Sequence, residues 1–213
     1  MNYTLIAQII TWLVLWFFGL GAYYFFFKPQ KHSYIEHPQI LSLWYFILTC
    51  FVGIYWSQPI YEYFSIKTSI PVKLGLIGIM VLTFFYYAHQ YYRGQKKPHE
   101  LPHSLSYFIV KFYEIVFTQS LFLILLMGLS QTGESNTVVI LLFILIYGLI
   151  SIPLRFFVSK RWFLNYMAVL PIGAFIFSIA TLYFPIGIIL SLSAHVFLYD
   201  AMQFRGRIPK MLK

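Results

Sequence analysis

From Thr4 to Phe204 the chain is a succession of apolar runs separated by short polar stretches that hold most of the charges. Each run is about 20 residues long, which fits a hydrocarbon core of about 30 Å crossed at about 1.5 Å per residue. The runs predict helices near Thr4–Phe27, Gln39–Trp56, Val72–Tyr92, Leu105–Leu129, Thr137–Phe156, Phe163–Tyr183 and Pro185–Phe204. Most are apolar on every face, which excludes helices lying flat on a membrane surface. The last two are divided only by Phe184-Pro185, where proline suits the first turn of a new helix. No internal repeat or low-complexity segment interrupts the pattern. The expected fold class is all-α: a polytopic transmembrane helix bundle of about seven spans. It forms a single integral-membrane domain over residues 1–213, with three N-terminal spans in 1–103 and four in 104–204.

Composition supports this pattern. Of 213 residues, 60% are hydrophobic and only 10% are charged, against about 25% charged in a soluble domain. Such a chain cannot cover a water-facing surface, and its length leaves no room for a sizeable soluble module. Tyr and Trp are frequent near the ends of the runs, as in interfacial belts. Cys50 is the single cysteine, so no intrachain disulfide forms and no zinc-type spacing exists. No metal or other cofactor is expected. The N-terminal run lacks a positive n-region and a small-residue cleavage site, and reads as a retained span.

The net charge of +9 brings nucleic acid into question. The positions of the charges answer it. One set of loops carries Lys28 and Lys31, then Arg93, Lys96 and Lys97, then Arg155, Lys160 and Arg161, and finally Arg205, Arg207, Lys210 and Lys213. The alternate set carries Lys67 and Lys73 with Glu62 and Glu134. The positive-inside rule then puts the N-terminus outside and the C-terminus in the cytoplasm, as an odd number of spans requires. Anionic membrane lipids are the partners these clusters imply. No basic stripe with interleaved aromatics occurs outside the spans, so nucleic acid is not an expected partner. A bacterial cytoplasmic membrane is the expected location.

Within the spans, polar groups are few and costly. A carboxylate inside an apolar helix costs roughly 2.5–3.5 kcal/mol and is usually paired, cavity-facing or functional. Glu114 is such a group, in LSYFIVKFYEIVFTQSLFLILLMGL, and His195 stands in ILSLSAHVFLYDAMQF. Both lie about nine residues from the cytoplasmic end of their spans, and Ser151 about five, so the three fall within about 6 Å in depth. They can line one cytoplasmic-side cavity. Thr118 and Gln119 follow Glu114 by about one turn and extend a polar stripe. Tyr199 stands four residues beyond His195, and Asp200 lies near the interface, where Arg155 or Arg205 can pair with it.

A purely structural arrangement competes with this. Lys111, three residues before Glu114, can neutralise it, and His195 can bond a nearby backbone group or tyrosine. His89 and Gln90 read as interfacial.

The order of these positions resembles the CAAX-protease and bacteriocin-processing (CPBP) family of intramembrane endopeptidases. Its first motif is Glu-Glu-x-x-x-Arg, and the chain has Tyr113-Glu114-Ile115-Val116-Phe117-Thr118. Its second is Phe-x-x-x-His, met by Tyr147-Gly148-Leu149-Ile150-Ser151, and its third is a His motif, met by His195-Val196-Phe197-Leu198-Tyr199-Asp200. The resemblance implies that Glu114 and His195 are the catalytic candidates, with Tyr113, Thr118, Tyr147, Ser151, Tyr199 and Asp200 lining the cavity. It also shows what is missing. Tyr113 replaces the leading glutamate, Thr118 the arginine and Ser151 the second-motif histidine. A phenol with a usual pKa of about 10 is a poor base, and serine cannot replace an imidazole. Glu114 and His195 alone are too few ligands for a closed zinc site.

The expected function is therefore that of a degenerate, non-proteolytic CPBP-like membrane protein. Its cavity would bind a membrane-embedded peptide, a lipid or a protein partner. The alternatives are an active endopeptidase using Glu114 and His195, and a small proton-linked transporter. A retinal protein is excluded because the last span holds no lysine.

Overall fold

A computed structural model describes residues 3–27, 38–65, 69–95, 105–156 and 160–204. The described residues are helical apart from short turns, and no strand occurs among them. The helices are α1 (Tyr3–Phe27), α2 (Pro38–Tyr55), α3 (Ser57–Phe64), α4 (Ile70–Gln95), α5 (Leu105–Ser130), α6 (Asn136–Ser151), α7 (Lys160–Tyr183) and α8 (Ile188–Phe204). A 3-10 turn, Ile152–Phe156, continues α6 towards α7. The apolar runs thus locate the long helices to within a few residues.

Three departures from the sequence pattern are informative. First, α3 is an extra short helix, bent 81° from α2 across Trp56. Second, Pro185 does not open the last helix. It lies in a turn where Ile186 has φ 53° and Gly187 follows, and α8 begins at Ile188. A Cβ on Gly187 would collide with the Ala180 carbonyl, so only glycine fits there. Third, among the described residues fewer helices than the expected seven meet the length and apolarity of a span. Among the described residues three are long and apolar enough to cross a membrane: Ile109–Ser130, Asn136–Phe156 and Phe163–Tyr183. Counting the bent α2–α3 pair as one span makes four. Ala7–Gly19 and Ile70–Thr83 are shorter apolar stretches.

The central element is α5, which packs against α1, α2, α3, α6, α7 and α8. The pairs α6–α7 and α7–α8 follow one another, and α4 lies against α8. Ser135 caps the start of α6, its hydroxyl accepting from the Val138 amide. The core draws Trp12, Trp16, Tyr45 and Val52 from the first helices and Phe117, Phe122, Phe143, Tyr147 and Phe177 from the later ones. Outside it, large apolar side chains face outward on α1, α2, α4, α6 and α7, among them Ile54, Leu82, Leu141 and Ile172. Water would penalise so much exposed apolar surface, whereas lipid tails accept it.

Indole groups tie α1 to this core. Trp12 Nε1 donates to the Leu121 carbonyl at 2.9 Å, and Trp16 Nε1 donates to the Ile150 carbonyl at 3.1 Å. Both rings stack in the core while their N–H groups reach backbone oxygens that the helical ladder leaves with a spare lone pair. Gly19 allows the same close approach further along α1. A Cβ there would sit 2.5 Å from Phe117, and Tyr45 donates to the Gly19 carbonyl at 3.3 Å.

A candidate polar centre among α5, α6, α7 and α8

Three groups of polar side chains are set into this apolar interior. The first lies on α5 alone. Lys111 Nζ and Glu114 Oε2 are 2.6 Å apart, with side chains 9% and 21% exposed. Three residues along a helix place both groups on one face, so the carboxylate is paired within its own turn. Thr118 stays on that face, but its hydroxyl donates to the Glu114 backbone carbonyl at 2.8 Å. That bond is spent on the helix itself.

The second group joins α5 to α8. Gln119 Nε2 lies 2.9 Å from His195 Nδ1, and the Ser191 hydroxyl donates to Gln119 Oε1 at 2.5 Å. Gln119 and Ser191 are almost fully buried, at 2% and 1% exposure. The His195 ring lies against Phe177 of α7, with centroids 5.1 Å apart. The sequence led us to expect Gln119 in one stripe with Glu114. Five residues turn an α-helix by about 140° beyond one full revolution, so the two face different neighbours. Likewise, among the described residues the hydrogen-bond partner of His195 is neither a backbone group nor a tyrosine. Its partner is an amide from another helix.

The third group joins α6 to α7. The Tyr147 and Tyr166 hydroxyls are 2.7 Å apart, and Ser151 Oγ is 3.4 Å from the Tyr166 hydroxyl. Ser151 is fully buried, and Tyr147 packs edge-on against Phe122 and Trp16. Phe122 also stacks on Phe177, so aromatic rings connect the tyrosine pair to His195. Aromatic contacts thus link the second and third groups, while the Lys111–Glu114 pair stays on its own turn of α5.

The remaining expected site residues divide. Tyr113 turns away towards α2, where its ring meets Phe46 edge-on at 5.6 Å. This follows from its place one residue, about 100°, from Glu114. Tyr199 and Asp200 belong to α8, but their side chains lie outside the described residues, as does that of Arg205. The same holds for most of the basic loop residues, including Lys28, Lys31, Lys67, Lys96, Lys97, Arg207, Lys210 and Lys213. Arg155 and Lys160 are exposed where α6 leads into α7, and His89 is exposed near the end of α4. Among the described residues no cluster of three or more His, Cys, Asp or Glu could hold a metal ion.

Sequence reasoning missed Tyr166, Ser191 and the role of Gln119. Ser191 precedes His195 by four residues and so shares its face, a signal that was available. Tyr166 had no such signal, because its partners come from another helix. One further contact holds the site from outside: the Tyr63 hydroxyl accepts from the Ile188 amide at 3.0 Å. This satisfies an N-terminal donor of α8 and fixes the start of the helix that carries Ser191 and His195.

The arrangement can hold one positive and one negative charge side by side, present an imidazole of fixed orientation, and offer hydroxyl groups. Comparison with protein-family models, with curated proteins and with solved structures returned no match to this chain.

Proposed function

We propose that this chain is an integral membrane protein, a degenerate relative of the CPBP intramembrane endopeptidases, whose polar centre binds a membrane-embedded ligand without hydrolysing it. The ligand is a peptide, a lipid or a segment of a protein partner. In this reading the seven long helices traverse a bacterial cytoplasmic membrane with the N-terminus outside. Arg155 and Lys160 at the α6–α7 junction, and Glu134 in the α5–α6 loop, carry the charge asymmetry this orientation needs.

The observation that carries the reading is the Lys111–Glu114 pair. A general base must have a lone pair free to reach its water. Glu114 has an ammonium within its own turn, and Ser151, at the second-motif histidine position, is bonded to Tyr166. Such a centre is better suited to recognising a polar group than to activating water.

A second reading, an active endopeptidase, rests on the resemblance, in which Glu114 and His195 hold the catalytic positions. One experiment separates the two. The full chain in lipid nanodiscs is given a synthetic lipid-anchored peptide that bears a diazirine. We expect photocapture that persists in Glu114→Gln, with the peptide intact. Cleavage that disappears in both Glu114→Ala and His195→Ala would replace our reading with the endopeptidase. Neither capture nor cleavage of any lipid or peptide probe would sink both.

A further inference from the structure

Gln119 joins α5 to α8 through both ends of its amide, and those ends are not chemically equivalent. The oxygen of a carboxamide only accepts and its nitrogen only donates. The Ser191 hydroxyl donates to Oε1, which leaves the nitrogen facing His195 Nδ1 at 2.9 Å. An amide nitrogen in that position requires a lone pair on Nδ1. The ring proton of a neutral imidazole is then on Nε2.

We propose that Gln119, itself oriented by Ser191, is a positioning residue that holds His195 as the neutral Nε2–H tautomer. The surroundings reinforce this. Gln119 and Ser191 are buried, so water does not compete for their bonds. Phe177 lies 5.1 Å from the imidazole at an interplanar angle of 30°, which restrains the ring plane. Tyr63 fixes the first turn of α8 and hence the height of Ser191 and His195 against α5.

The consequence is a definite chemistry for His195. Its Nδ1 lone pair is occupied, so it is neither a base nor a metal ligand through that atom. Among the described residues no hydrogen bond reaches Nε2. His195 therefore offers a single N–H donor to an acceptor oxygen of whatever enters the centre. The inference deepens the binding role proposed above, but its test needs no ligand. Failure of peptide capture would leave it standing, and the converse also holds.

The test is nitrogen NMR of the full chain in lipid nanodiscs, labelled with 15N-histidine, at neutral pH. The His195 signals are assigned as those lost in His195→Gln. We expect a protonated Nε2 and an unprotonated, hydrogen-bonded Nδ1. In Gln119→Met, which keeps the length of the side chain and removes the amide, both tautomers should be populated. A purely structural role for Gln119 would not move this signature. A wild-type His195 protonated on Nδ1 overturns the proposal, since it would mean the amide is reversed. So does an imidazolium, or a Gln119→Met spectrum that keeps Nε2–H alone. The wild-type measurement decides even if the variant does not fold.

Discussion

Two polar groupings on α5 solve the same problem in different ways. Lys111 and Glu114 pair within one turn of one helix, while Gln119 reaches across to Ser191 and His195 on another. The first needs only α5 to be helical. The second needs α8 at a particular height and rotation, which Tyr63 and the Ile186-Gly187 turn help to set. A local pair neutralises a charge within α5 itself. A cross-helix pair specifies how two helices meet, because a shift of one turn would leave buried donors and acceptors unmatched.

The contrast is broken most sharply by removing one charge of the local pair. Lys111→Met leaves the Glu114 carboxylate without the ammonium in its own turn, and taking one partner from a buried pair costs about 3 kcal/mol. Unfolding of the detergent-solubilised protein should report that loss. Replacing both, Lys111→Met with Glu114→Gln, should recover most of it, since no net charge is then left inside. A double variant as unstable as the single one would mean that the ion pair is not the source of the effect.

The cross-helix tie should weigh less in stability and more in position. Gln119→Leu removes both bonds to α8 and leaves the Ser191 hydroxyl and His195 Nδ1 to find other partners. Hydrogen bonds between membrane helices average about 0.6 kcal/mol and reach about 1.7, so two of them suggest a loss of about 1.5 kcal/mol. Hydrogen exchange should rise in α8 around Ser191 and leave α5 near Lys111 unchanged. A uniform rise along both helices would erase the distinction between the groupings.

The same distinction explains what could be read from the sequence. Runs such as Leu105–Leu129 and Phe163–Tyr183 mark their helices directly, since each is an unbroken apolar stretch long enough to cross a membrane. Lys111 beside Glu114 was legible for a similar reason: partners three residues apart meet in any helix. The meeting of Gln119 with His195 was not, because sequence spacing says nothing about the rotation of one helix against another. The short helix Ser57–Phe64 was missed as well. Its amino-terminal Ser57 and the proline at Pro59 are ordinary first-turn residues, but eight residues give too little periodicity to detect. Glu114, Ser151 and His195 were brought to one depth by counting, yet each has a separate partner. Depth alone did not distinguish a shared site from three neighbouring ones.

The tyrosine group between α6 and α7 supplies the gentlest test, because it resembles the cross-helix tie in form but not in redundancy. The Tyr166 hydroxyl faces both Tyr147, at 2.7 Å, and Ser151, at 3.4 Å. In Tyr147→Phe the Ser151 contact to Tyr166 survives, so the loss should be small. In Tyr166→Phe both contacts go at once, and the buried Ser151 hydroxyl must turn back to its own helix. A serine can do so by donating to the carbonyl four residues earlier, as Ser120 and Ser178 do here. That local refuge limits the penalty for Tyr166→Phe to about 0.6 kcal/mol. Gln119→Leu has no equivalent refuge for His195, whose ring cannot reach a carbonyl of its own helix in this way. If Tyr166→Phe instead matched Gln119→Leu in stability, the hydroxyls would be coupled to the charged pair, and the three groups would act as one centre.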